Sequence, residues 1–271
     1  MGASFLITLR EGVEAALVVG IVLSVLTRLE RQRLKRYVWA GTAGAAGISL
    51  VVGAILFAMG VAFEGRVEVI FEGATMIAAA ALLTWMIFWM KHHGRELARQ
   101  LEAETREAVS IGGKALFAVA FFAVLREGLE TSLFLVAATF QTGATNVLIG
   151  GVLGLATALL LGVLIFRASL RLNLRHFFSV TGLLLLFVAA GLIANGVHEF
   201  QEAGLLPIFI EHVWDINNIL NEKGMLGSFL KALFGYNGNP SLLEVLSYLM
   251  YLVVVGVAGK PRDVQVRRAV A

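Results

Sequence analysis

The stretch LREGVE, Leu9–Glu14, places one arginine and two carboxylates inside the apolar run over residues 3–27. It returns as LREGLE, Leu125–Glu130, at an offset of 116 residues, and five of the six positions are identical. Charges inside a membrane are costly and usually mark an ion pathway or a relay, whereas a purely structural ion pair needs no second copy. The two stretches therefore predict an internal repeat and a site for a cation.

The composition is typical of an integral membrane protein. The chain has 271 residues, of which 58% are hydrophobic and 15% charged, and its mean hydropathy of +0.83 is too high for a soluble domain. Apolar runs of about 20 residues are long enough to cross the bilayer, and as helices they satisfy their own backbone hydrogen bonds. We predict an all-α polytopic protein with seven transmembrane helices, over residues 3–27, 38–62, 69–90, 113–140, 145–166, 178–198 and 244–258.

Basic residues are distributed unevenly between the predicted connections. Those after the odd-numbered spans, with the C-terminal tail, carry 17 lysines and arginines, and those after the even-numbered spans carry three. The positive-inside rule places the N-terminus outside and the C-terminus in the cytoplasm, with the chain as a multi-pass protein of the cytoplasmic (inner) membrane. Because these residues set orientation in the lipid bilayer, the net charge of +3 gives no nucleic-acid signal.

The predicted repeat unit is three helices. Glycine-rich second and fifth spans follow the two motifs, and the third and sixth spans share small-residue runs, IAAAA and FVAAG. Because spans 1 and 4 cross in opposite directions, the units form inverted repeats, which in transporters surround a site near the midplane. We predict a single membrane domain over residues 1–271, with repeat one at 1–90, repeat two at 113–200, an outer connection at 199–243 and an additional seventh helix at 244–258.

Both motifs lie near mid-membrane in their spans. The i, i+3 spacing puts the two glutamates of each motif on one helix face, so that both pairs can converge on one ion. Arg10 and Arg126 are predicted to balance the charge when no ion is bound, and Gly12 and Gly128 to let helices 1 and 4 cross closely. The predicted metal ligands are Glu11, Glu14, Glu127 and Glu130.

The absence of cysteine restricts any metal site to oxygen and imidazole ligands. Carboxylates suit Fe³⁺, Mn²⁺, Mg²⁺ or Ca²⁺ better than Cu⁺, and they also accept Zn²⁺ and Fe²⁺. The sequence has no GxxxxGK[ST] phosphate loop, which excludes ATP hydrolysis by that route. We expect no enzymatic activity and no resident cofactor.

Other polar residues lie on the predicted outer side. The connection from Glu199 to Glu244 carries six acidic and two basic residues, so its field should concentrate cations, although an ordinary solvated loop is the alternative. Residues predicted to line the ion path or its mouth are Glu72, His198, Glu199, Glu202, Glu211, His212 and Asp215.

The paired Arg-Glu-Gly-x-Glu motif resembles the signature of the oxidase-dependent iron permease family, and the chain looks like its bacterial branch, the permease of the elemental ferrous-iron uptake system. The segments FEGATMIAAAALLTWMIFWM, RLNLRHFF, FVAAGLIANGVHEFQEAG and LFGYNGNPSLLEV resemble family blocks in the same order. The resemblance implies a high-affinity importer that receives Fe³⁺ from a partner ferroxidase or iron-delivery protein outside the membrane. It also implies that the four motif glutamates are the ligands.

Other functions stay open from the residues alone. An importer of another divalent cation, such as lead or manganese, would use the same ligands, and competition in uptake assays would separate the two. A proton-conducting subunit would also need buried carboxylates. A redox subunit with a di-iron centre would need Glu-x-x-His pairs, and none of the five histidines stands three residues after a glutamate.

Overall fold

The chain is almost entirely helical in the computed structural model, which describes residues 1–167, 173–217, 220–222 and 224–259. Over these residues it contains α-helices, one 3-10 turn at Gln32–Leu34 and no strand, which confirms the all-α prediction. The tail predicted to be cytoplasmic lies outside the described residues. The helices are α1 (Gly2–Arg28), α2 (Lys35–Ala62), α3 (Arg66–Ile111), α4 (Gly113–Thr142), α5 (Ala144–Arg167), α6 (Leu174–Glu202), α7 (Met225–Phe234) and α8 (Leu242–Ala258).

Four segments in the described part of the chain are long and apolar enough to cross a membrane. They belong to α2, α3, α5 and α6, and they cover Gln32–Ala62, Arg66–Lys91, Ala144–Phe166 and Leu174–Glu202. Helices α1 and α4 have 27 and 30 residues, but each carries the three charges of its motif in its interior. Helix α8 is apolar and has 17 residues. Each predicted span lies within one of these helices.

Helix α3 is longer than the bilayer is thick. Its 46 residues extend over about 69 Å at 1.5 Å per residue, more than twice the hydrocarbon thickness. Beyond Lys91, buried Leu101 and Ala108 belong to an apolar cluster with Leu26 of α1 and Leu116 of α4. The connection between the third and fourth predicted spans is therefore largely a continuation of α3.

Helices α1 and α5 run parallel in close contact. Their contact positions recur every four residues, the small-xxx-small pattern that lets membrane helices approach closely. A Cβ on Gly154 of α5 would collide with the backbone of Phe5 in α1, so the two backbones touch there. The facing pairs are Ser4 with Gly150, Thr8 with Gly154, Gly12 with Ala158, and Ala16 with Gly162.

Helices α2 and α4 pack in the same way. A Cβ on Gly41 of α2 would lie 2.6 Å from the backbone oxygen of Phe117 in α4. Further along, Ser132 of α4 donates a hydrogen bond through Oγ to the backbone oxygen of Ser49, at 2.8 Å. A Cβ on Gly53 would lie 3.2 Å from the Ser132 hydroxyl. The parallel pairs α1–α5 and α2–α4 thus have equivalent contacts.

The motif glycines belong to these two contacts. A Cβ on Gly12 would lie 2.7 Å from the Cβ of Ala158 in α5, and a Cβ on Gly128 would collide with Ser49 of α2. The prediction that they let α1 and α4 cross closely was therefore wrong. One residue along a helix turns the side-chain direction by about 100°, so Gly12 faces α5 while its neighbour Glu11 faces another helix.

Helices α3 and α6 lie antiparallel, with Gly196 of α6 against Ile77 and Gly182 against Ile87. At one end of the bundle, α7 packs Leu233 against Gly2, where α1 begins; we call this the α7 end. Below it is a fully buried core to which α1, α3, α4 and α6 all contribute. We call this core the apolar layer, defined by Ile7, Ala80, Leu83, Phe134, Ala137, Val188 and Leu192.

Candidate functional site

The two motifs meet where α1 crosses α4. Oxygen atoms from the carboxylates of Glu11, Glu14 and Glu127 all lie within 4.8 Å of one another, and all three residues are buried. We call these three residues the glutamate cluster. Both motifs contribute to it, so the structure brings together three of the four predicted ligands in one place.

Arg10 is enclosed by the first motif. Its Nη1 donates to Glu11 Oε1 at 2.8 Å, and its Nη2 lies 2.9 Å from Glu14 Oε1. It also contacts the sulfur of Met86 on α3, and only 1% of the residue is exposed. Glu11 Oε2 is buried and has no hydrogen-bond partner in the described part of the chain. One arginine thus compensates two carboxylates, and a carboxylate oxygen remains for another cation.

Arg126 is placed differently from Arg10. Its Nε donates to Glu130 Oε1 at 3.0 Å, and 36% of its side chain is exposed. Its guanidinium lies 4.7 Å from the ring centre of Trp89 and 6.0 Å from that of Trp85, both on α3, in cation–π contacts. Glu130, the fourth predicted ligand, is thus paired outside the glutamate cluster, and Glu127 has no ion pair within 4 Å among the described residues.

The apolar layer separates the glutamate cluster from the α7 end. Along α4, Glu130 and Gln141 are eleven residues apart, about 16 Å, and the intervening turns contain buried Phe134 and Ala137. Along α3, Leu83 and Ala80 occupy the same level. Between the α7 end and the cluster, these buried side chains are therefore packed against each other.

A polar cavity of about 620 Å³ lies at the α7 end. Met76 and Phe140 contribute to its wall, as do His198, Glu199 and His212. We call it the amide chamber, because six amide side chains line it: Gln141, Asn195, Asn217, Asn221, Asn237 and Asn239.

Two carboxylates, Glu222 and Glu244, stabilise the wall of the chamber. Glu244 accepts hydrogen bonds from the backbone N–H of Ser241 and the side chain of Asn237, and its Oε1 lies 2.9 Å from His198 Nδ1. Glu222 accepts from the backbone N–H of Gly238 at 2.6 Å and pairs with Lys231 at 3.2 Å. The folded connection between α6 and α8 is therefore fixed by paired carboxylates.

The residues predicted for the ion path are only partly brought together. His198, Glu199 and His212 line the amide chamber, and half-buried Glu72 lies within electrostatic range of Glu199. Glu202, Glu211 and Asp215 are exposed and are not among the residues that line the chamber.

Sequence reasoning missed the amide side chains. They come from α4, α6 and the connection between α7 and its neighbours, so no local spacing unites them. One signal was present: Asn195 stands in an otherwise apolar run of α6, one turn before His198. A polar side chain at such a position marks the face of a membrane helix that is turned away from lipid.

The comparison with known proteins agrees with the motif geometry. Residues 1–261 match the family described as iron permease FTR1. The chain belongs to this family. With its four apolar segments, membership of a permease family makes the chain a membrane protein.

Relatives within the iron permease FTR1 family cover nearly the whole chain. The protein named ferrous iron permease EfeU from Escherichia coli O6:H1 is 41% identical over 261 residues, which is 95% of each chain. The protein of the same name from Yersinia pestis is 39% identical over 256 residues, 93% of this chain and 91% of its own length. No solved structure matches this chain.

Proposed function

We propose that this protein imports iron across the cytoplasmic membrane through the glutamate cluster. The observation that carries the proposal is the convergence of Glu11, Glu14 and Glu127 within 4.8 Å at a buried position. Three like charges with Arg10 as the near counter-ion favour a multivalent cation. The family and its members named ferrous iron permeases point to iron as that cation.

The architecture we propose is two inverted three-helix repeats, at 1–90 and 113–200, followed by the connection 199–243 and a seventh crossing helix at 244–258. This architecture is supported by the packing, because the first helix of each repeat packs on the second helix of the other repeat: α1 on α5, and α4 on α2. The stripe Gly41–Ala45–Ser49–Gly53 and the stripe Gly150–Gly154–Ala158–Gly162 have the same spacing at an offset of 109 residues. A single two-fold relation would generate both contacts.

We place the α7 end outside and the extension of α3 in the cytoplasm. The unequal distribution of basic residues supports this orientation. Iron would then arrive at the amide chamber, with Glu72, His198, Glu199 and His212 nearby, and pass the apolar layer when the repeats move against each other. Glu202, Glu211 and Asp215 would contribute only their field at the mouth.

We propose Fe³⁺ as the ion that occupies the cluster, supplied by a ferroxidase that oxidises Fe²⁺ outside the membrane. The support is the ligand chemistry, since carboxylate oxygens are hard donors. If Fe²⁺ is oxidised before it crosses the membrane, the protein can be supplied with Fe²⁺ and still carry Fe³⁺. Glu130, released from Arg126, would then complete the set of four carboxylates around the ion.

The test is uptake of radioactive iron into proteoliposomes that contain the purified protein, supplied with Fe³⁺ or with Fe²⁺ in separate trials. Glu11→Gln and Glu127→Gln each remove a negative charge at nearly constant volume, and each should reduce uptake at least about tenfold. Glu107→Gln, at an exposed position of α3, is the matched control and should transport like the wild type. Unchanged uptake in both cluster variants would refute the site.

A further inference from the structure

We propose that the amide chamber is a second iron site, which holds the ion together with its water shell before the ion reaches the glutamate cluster. This inference rests on the proposed iron import and adds a binding site to it. The expected ligand is a hydrated divalent or trivalent cation. The chamber would bind it through hydrogen bonds from coordinated water to amide oxygens, with Glu199 as the charged partner.

Two amide oxygens at the chamber lack a hydrogen-bond partner among the described residues. Gln141 is 7% exposed and lines the chamber, and its Oε1 is buried with no hydrogen-bond partner in the described residues. Asn239 Oδ1, from the segment between α7 and α8, is likewise buried and has no hydrogen-bond partner in the described residues. Buried acceptors in proteins are nearly always satisfied by protein or by ordered water, so these two oxygens are placed to accept from water inside the chamber. Water bound to a cation is a strong donor of this kind.

The carboxylates at the chamber differ in whether a cation pairs with them. Glu222 is paired with Lys231, and Glu244 is paired with His198 and bonded to Asn237. Glu199 is half-buried and has neither a salt bridge nor a hydrogen bond within the described ranges. Of the two carboxylates that line the chamber, Glu199 is thus the one without a paired cation among the described residues, and Glu72 lies within its electrostatic range. The charge of Glu199 attracts a cation, and the neutral amides around it do not strip the water of the ion as the three carboxylates of the glutamate cluster would.

The chamber is large enough for a hydrated cation. A water molecule takes about 30 Å³ in the liquid, so a cation with six waters needs roughly 200 Å³. The chamber, at about 620 Å³, admits such an ion without dehydration. Below it, the side chains that define the apolar layer are hydrocarbon and offer no oxygen to replace the waters. Loss of the water shell therefore belongs to the step between the chamber and the cluster, and the ion waits in the chamber until that step.

The experiment counts bound ions by equilibrium dialysis of the purified full-length protein, with radioactive Fe³⁺ and, in a separate anaerobic trial, with radioactive Fe²⁺. The wild type should bind two ions of unequal affinity. The chamber variant, Gln141→Leu combined with Glu199→Gln, should no longer bind the lower-affinity ion and should still bind the higher-affinity ion. The cluster variant, Glu11→Gln combined with Glu127→Gln, should no longer bind the higher-affinity ion and should still bind the lower-affinity ion. In proteoliposomes the chamber variant should raise the KM for iron about tenfold and change the maximal rate less than about twofold.

The matched control is Asn146→Leu combined with Glu64→Gln, which likewise replaces one amide by leucine and one glutamate by glutamine, at positions that are not among those lining the chamber. It should bind and transport iron like the wild type. If the double chamber variant fails to fold, Glu199→Gln alone should already lower the affinity for the more weakly bound ion.

Undiminished binding of two ions by the chamber variant, or no bound ion in the cluster variant, would overturn the second site. Full uptake by the cluster variants with two ions still bound would instead contradict the proposed function.

Discussion

Arg10 and Arg126 occupy the same position in their motifs but have different surroundings. Arg10 is 1% exposed and lies between two carboxylates, whereas 36% of the Arg126 side chain is exposed and it pairs with Glu130 alone. Removal of one partner from a buried ion pair leaves an uncompensated charge, which costs about 3–5 kcal/mol. Arg10 is therefore a fixed counter-charge of the glutamate cluster, and Arg126 is the more easily displaced of the two.

This difference predicts unequal stability losses. Arg10→Met should lower the thermal unfolding midpoint of the detergent-solubilised protein strongly, because two buried glutamates lose their counter-charge. Arg126→Met should lower it less, because Arg126 is only partly buried and pairs with one carboxylate, Glu130. Thermal unfolding followed by tryptophan fluorescence measures both. Equal losses in the two variants would show that the buried and half-exposed arginines are equivalent.

The glutamates also differ in their predicted contribution to binding. Glu127 belongs to the group of three converging oxygens, whereas Glu130 Oε1 is held by Arg126. Glu127→Gln should weaken iron binding at least about tenfold, and Glu130→Gln less than about threefold, since its charge must first leave Arg126. Equilibrium dialysis with radioactive iron gives both values. A larger effect at Glu130 than at Glu127 would contradict the proposal that Glu127 holds the ion before Glu130 leaves Arg126.

At the scale of helices, the spacing of small residues decides which partners pack together. Gly41 and Gly47 lie on the same helix, α2. A Cβ at Gly41 would lie 2.6 Å from a backbone oxygen of α4, whereas a Cβ at Gly47 would have no neighbouring atom within 4 Å in the described part of the chain. The contact of α2 with α4 therefore requires glycine at position 41, whereas position 47 has room for a side chain.

A pair of substitutions tests this packing. Gly41→Ala should destabilise the protein by about 1–3 kcal/mol, because a backbone atom cannot move aside for the new methyl group. Gly47→Ala should be neutral or stabilising by up to about 1 kcal/mol, from the better helix propensity of alanine. Thermal unfolding compares the two, and a stable Gly41→Ala variant would contradict the close contact between α2 and α4.

The sequence predicted the helical class and the meeting of the two motifs, because the charges and their repeat are local patterns within long apolar runs. The partners of Gly12 and Gly128 could not be predicted from the motif alone, since the assignment of a face requires the position of α5 and α2. The stripe Gly150–Gly154–Ala158–Gly162 was a usable signal for that position. The different surroundings of Arg10 and Arg126 could not be predicted, because the two motifs are nearly identical.

At the scale of the whole molecule, the orientation in the membrane determines the direction of transport. The chain has no cysteine, so single cysteines report their side of the membrane without background. His212→Cys, in the exposed connection between α6 and α7, should react with an impermeant maleimide in intact cells. Glu104→Cys, on the exposed surface of the α3 extension, should react only after permeabilisation. The opposite result would reverse the proposed orientation.

The most direct test of the central claim is to locate iron in the protein. Crystals soaked with iron should show an anomalous difference peak at the iron absorption edge between Glu11, Glu14 and Glu127, within coordination distance of their carboxylate oxygens. The peak should disappear in Glu127→Gln crystals that are soaked in the same way. An iron peak that avoids all three glutamates, or one that persists unchanged in Glu127→Gln, would contradict the glutamate cluster as the iron site.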